Sequence, residues 1–182
     1  MTGDQTSHDA VQLGAAVASV LDRDLAALRR EVEAYADEAD LWRLAPGLPN
    51  SAGTLVLHLA GNLQHFIGRY FAGTTYRRDR PAEFSRRNVP RAELLREIDA
   101  AREAVRSGLS RPSPALLSED YPESVAGMVV GTGEYLVHLA THLAYHLGQI
   151  DYHRRVITGS TEGVGAVQAA ELKSARATGQ TA

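Results

Sequence analysis

The sequence predicts an all-α chain folded as a four-helix bundle, and three observations carry that prediction. Apolar residues recur at steps of 3, 4 and 7 in four long stretches. No stretch shows the strict alternation of a half-buried strand, and clusters of Pro, Gly and Ser separate the four helical ones. A chain of 182 residues that is 44% hydrophobic and 23% charged suits one compact core. We assign residues 1–160 to a single bundle domain and 161–182 to a partly helical or disordered C-terminal tail.

The first helix is expected from about Ala10 to Glu38, on Leu13, Val17, Val20, Leu21, Leu28, Val32 and Tyr35. Pro46, Gly47 and Pro49 end that segment, and Asn50 or Ser51 offers a cap for the next. The second helix runs through Leu55, His58, Leu59, Asn62, Leu63, Phe66 and Tyr70 to about Gly73. A loop with five arginines between Arg77 and Arg87 follows, and it is expected to be solvated rather than to guide an acidic cofactor or carboxylate substrate. Pro90 fits the first position of a third helix carried by Leu94, Leu95, Ile98, Val105 and Leu109. After a Pro- and Ser-rich loop from Arg111 to Gly131, Thr132 is the expected cap of a fourth helix. Glu134 stands in its first turn, and its end falls near Thr158 and Gly159.

Composition removes several functions. With no cysteine there is no disulfide, Fe–S cluster, thiolate-bound zinc or protein thiol nucleophile, so any metal must use His, Asp or Glu. A net charge of −3 with a pI near 6.2 gives no reason to expect nucleic acid or an anionic membrane as partner. No apolar run reaches the length of a membrane span, and the polar N-terminus lacks signal-peptide features, so a cytoplasmic protein is expected.

The chemistry is expected at the histidines. Four of the seven, His138, His142, His146 and His153, share the last helix at spacings of 4, 4 and 7. Residues four apart lie on one helix face about 6 Å apart along the axis, so His142 and His146 can converge on one ion. An HxxxH pair alone is a common chance occurrence, and one helix cannot surround a metal. The third ligand is sought on another element, and His58, on the apolar face of the second helix, is the candidate. Three histidines leave a coordination position open, the arrangement of a catalytic metal. His138 is expected to pack, His153 to lie near solvent beside Arg154 and Arg155, and His65 to serve the core at most. Leu143 follows His142 where a zincin protease needs Glu, and the Glu134–His138 spacing of 4 does not match a di-iron bundle.

Two segments, S-A-G-T-L-V-L-H-L-A-G-N-L and T-H-L-A-Y-H-L-G-Q-I-D-Y-H-R-R, together resemble the DinB/YfiT-like superfamily of metal-dependent helical bundles. The resemblance extends from about Leu13 to Gly159. H-L-A-G-N followed by R-R-D-R-P-A-E-F resembles one subgroup within it. It implies a divalent ion, zinc or nickel, held by His58, His142 and His146, with Gly148 and Gln149 completing the signature. Gly148 is read as a small residue admitting a neighbouring helix. Gln149 and Asn62 are read as hydrogen-bonding across the bundle or to a ligating imidazole. The resemblance also implies a homodimer and, as in some relatives, a small-molecule substrate with a thiol cofactor such as mycothiol, bacillithiol or glutathione. A thiol-dependent S-transferase is therefore the leading expectation, and it suits a chain that must borrow its sulfur nucleophile. The alternatives are a metal-dependent hydrolase and a stress-associated metal- or ligand-binding protein without turnover.

Overall fold

In the computed structural model, which describes residues 3–110 and 114–178, the chain is all-α. Its elements are α1 (Gly3–Glu33), a 3₁₀ turn (Glu38–Trp42), α2 (Ala52–Leu63) continued by a π-helical turn (Gln64–Arg69), α3 (Arg80–Ser85) and α4 (Arg91–Leu109). They are followed by α5 (Pro114–Ser118), α6 (Thr132–Thr158) and a 3₁₀ turn (Ala169–Glu171). Among the described residues there is no strand, only two isolated bridges in the loop before α6. Part of the predicted tail and the start of the predicted third loop lie outside the described residues.

The packing follows the periodicity. Leu21, Leu25, Leu28 and Val32 of α1, Leu59 and Leu63 of α2, Leu94, Ile98 and Val105 of α4, and Leu136, Leu139 and Leu143 of α6 are buried in one cluster. α1 and α2 each pack against both α4 and α6. Burying each such side chain stabilises by about 1.5–3 kcal/mol before the entropy of ordering the chain is set against it.

Boundaries are set by caps. Ser51 Oγ accepts from Thr54 N at 3.3 Å and starts α2. Gly159, at φ 72°, ends α6 in the left-handed region, its N–H donating to Arg155 O at 2.8 Å. Pro90 and Gly131 stand one residue ahead of α4 and α6, so the predicted starts at Pro90 and Thr132 are each one residue off. α1 ends at Glu33 rather than Glu38, because Asp37 caps a separate turn through Ala39 N at 2.9 Å.

The arginine loop departs most from expectation. Asp79 Oδ1 accepts from Ala82 N at 3.0 Å and starts the short helix α3, which lies against α2. The second predicted helix is also not uniform. After Leu63 it widens into a π-turn, which the Tyr121 hydroxyl supports by donating to Phe66 O at 2.6 Å. The tail crosses α1: Arg30 donates to Val164 O at 2.9 Å and pairs with Glu171 at 3.2 Å, and Lys173 N donates to Ser19 Oγ at 2.9 Å.

Candidate functional site

α2 and α6 set the site. His58 faces α6 because it stands in step with the buried Leu55, Leu59 and Asn62. His142 and His146 follow on successive turns of α6, flanked by the buried Leu139, Leu143 and Leu147. One ring nitrogen from each of His58, His142 and His146 lies within 4.8 Å of the others. The rings stand nearly perpendicular in all three pairs, at 82°, 88° and 89°. His58 Nε2 is 3.2 Å from His142 Nε2. Two imidazole nitrogens each about 2.0–2.1 Å from a tetrahedral ion are separated by about 3.3 Å, so this pair already has the required spacing.

The outward nitrogens are held in place. His146 Nδ1 donates to Gln149 Oε1 at 2.6 Å, which leaves Nε2 with its lone pair. His58 Nδ1 lies 3.1 Å from Glu83 Oε2, and Glu83 is paired with Arg78 at 2.7 Å. Asn62, expected to support an imidazole, has instead a buried Oδ1 that accepts no hydrogen bond among the described residues.

His142 and His146 favour neutral imidazole, the ligating form. Burial, joined by the neighbouring His146 and His58, pushes His142 down to about 4. Burial also lowers His146, against the opposing bond from Gln149. Burial would raise Glu83, but the hydrogen bonds from His58 and Arg78 outweigh it and hold the carboxyl below its ordinary value.

The other histidines divide. His138 stacks on Tyr135 and His142 and is outside the trio. His65 Nε2 bonds to Glu123 at 2.9 Å. His153 is not near solvent: it is 1% exposed, with Nδ1 at 2.7 Å from the Tyr35 hydroxyl and Nε2 at 2.8 Å from Arg43 O. The α1 end and the turn after it cover that part of α6, and Arg154 is buried there against Glu31. Gly148 is exposed, and a side chain there would meet no atom within 4 Å, so no helix of this chain requires the glycine.

Glu83 and Arg78 are the site residues that sequence reasoning missed. The available signal was the one glutamate of a basic stretch, set between Ala82 and Phe84, whose ring lies 4.9 Å from that of His58. Arg78 is not solvated; it lies between Glu83 and the Phe66 ring.

By fold and site this is an all-α protein with three imidazoles from two helices facing a common point. A family model described as mycothiol-S-transferase matches residues 16–159, from α1 to the end of α6. The chain belongs to that family, which is part of the DinB/YfiT-like superfamily. No curated protein and no solved structure matches the chain.

Proposed function

We propose that the chain is a metal-dependent thiol S-transferase that joins mycothiol, rather than bacillithiol or glutathione, to an electrophilic small molecule. The observation that carries this reading is the three-imidazole cluster in a chain of the mycothiol-S-transferase family that has no cysteine of its own. The donor set fits a divalent ion: three nitrogens, depressed imidazole pKa values and two supported outer nitrogens. A zinc or nickel ion bound by His58, His142 and His146 would supply the positive charge that favours a bound thiolate.

The residues of the chain orient and exclude. Gln149 and Glu83 fix the ring planes of His146 and His58, and Leu143 and Leu147 close the inner side of the site. The thiol proton passes to solvent, the sulfur–carbon bond forms, and the electrophile's leaving group departs with its electron pair. The four long helices are read as a four-helix bundle, and the protein as a cytoplasmic homodimer; among the described residues, no helix is long and apolar enough to cross a membrane.

The test starts with elemental analysis, which should give about one divalent ion per chain, lost in His146→Ala. The loaded protein should conjugate mycothiol to monochlorobimane, displacing chloride, and the variant should not. Full metal retention by the variant would remove the metal site. Metal bound by the parent and lost in the variant, with no conjugation by any thiol, would favour hydrolysis or a binding protein without turnover.

A further inference from the structure

We infer that the cleft between the Leu48–Asn50 turn and the last third of α6 binds the electrophilic substrate, an uncharged and mainly apolar molecule with one acceptor oxygen. The inference rests on the thiol-transfer reading and adds its second substrate. The cleft holds about 160 Å³. An apolar cavity of about 150 Å³ accepts a benzene-sized ring, so one ring system fits.

Its lining is neutral. Leu48, Pro49, Leu55 and Tyr152 supply apolar walls, and Asn50, Gln149 and His153 supply the remaining surface. His153 presents only its ring, because both of its nitrogens are already paired with Tyr35 and Arg43. Leu48 and Tyr152 are 41% and 71% exposed and face this opening without apolar cover. Such a surface favours an apolar ligand and disfavours a charged one.

Gln149 joins the cleft to the metal site. Its Oε1 accepts from His146, while its amide nitrogen makes no hydrogen bond among the described residues. That N–H₂ is the donor for a carbonyl or similar oxygen on the substrate. A molecule so held is linked through Gln149 to His146 of the imidazole trio. Other clefts lack this combination. The one behind Glu83 is lined by Arg77, Asp79, Arg86 and Glu97, and the 310 Å³ groove along α4 reaches neither the trio nor its hydrogen-bond partners.

The probe is the chlorine-free bimane, which binds but cannot react, titrated by fluorescence into metal-loaded protein. Leu48→Arg and Tyr152→Ala change exposed positions and leave the metal ligands untouched. Bimane binding should weaken about tenfold or more in Leu48→Arg, the scale of losing one apolar contact and gaining a desolvated charge. In turnover the KM for monochlorobimane should rise similarly, with metal content and the KM for mycothiol unchanged. No saturable binding to the parent chain, or equal binding by parent and Leu48→Arg, would overturn the cleft assignment. Loss of bimane binding in Leu48→Arg, with no thiol conjugated by the parent, would keep the cleft as a ligand site and reject thiol transfer. Conjugation with unaltered kinetics in both variants would keep transfer and reject the cleft.

Discussion

Nδ1 of His58 lies 3.1 Å from both Oε2 of Glu83 and Nη2 of Arg78, and opposite tautomers satisfy the two neighbours. With the proton on Nδ1, the ring donates to Glu83 and Nε2 keeps the lone pair a metal needs. With Nδ1 accepting from Arg78, the proton sits on Nε2, 3.2 Å from His142 Nε2. Glu83 therefore selects the ligating tautomer and Arg78 the other. Removing Glu83 should weaken metal binding by about 10–100-fold. Leaving Arg78 without its partner in a mostly buried pair should also cost about 3–5 kcal/mol of stability. Glu83→Gln keeps an acceptor and should lose less affinity than Glu83→Ala. Competition with a chromophoric chelator, beside thermal melts, separates the two effects. A folded Glu83→Ala with parental metal affinity would defeat the assignment. The trio itself was legible because helical spacing and the L-G-Q context surround His146. Glu83 was not, because it is 25 positions from His58 in a stretch whose charge suggested solvent.

Between elements, the approach of α3 to α2 depends on Gly61. A Cβ at that position would lie 2.3 Å from Glu83 Oε1 and 3.0 Å from Glu83 Cδ. H-L-A-G-N and R-R-D-R-P-A-E-F are thus one structural unit: the first supplies His58 and the gap, the second the carboxylate that fills it. Gly61→Ala gains up to about 1 kcal/mol of helix propensity. It should nevertheless displace Glu83 and lower metal affinity, without altering any ligand. Measured affinity equal to the parent's would show that α3 can shift without moving the carboxylate from His58. The long helices were readable because three or more turns repeat an apolar stripe. α3 and α5, with 6 and 5 residues, span fewer than two turns and leave no period to find. The π-turn escaped for a related reason: one extra residue per turn moves the phase of Phe66 and Tyr70 without changing their hydrophobicity. The burial of His153 was hidden because Tyr35 and Arg43, over 100 positions upstream, create it.

Across the whole molecule, burial of imidazoles along α6 ties stability to pH. Burial holds His142, His146 and His153 below their ordinary value, His142 at about 4. In the unfolded chain each takes up its proton near pH 6.5. Between about 6.5 and 4 the unfolded state therefore binds protons that the folded state refuses, so stability falls as pH falls. Glu83, Asp151 and Glu123 have lowered values despite burial, because hydrogen bonds and cationic neighbours outweigh it; their contribution is present above the unfolded carboxylate range and is lost below it. Glu31, raised by burial, works in the opposite direction above the ordinary carboxylate value, where the folded chain keeps a proton that the unfolded chain has lost. The order of titration makes histidine responsible for the first loss. Metal-free protein should melt at a lower temperature at about pH 5 than at about pH 7, well before ordinary carboxylates protonate. The loaded protein should lose more over the same interval, since a bound ion stabilises only the folded state and protons compete for its ligands. Replacing His142 with Gln should flatten the metal-free profile. A metal-free melting temperature that stays level from pH 7 to pH 5 would mean that these imidazoles titrate alike in the folded and unfolded chain.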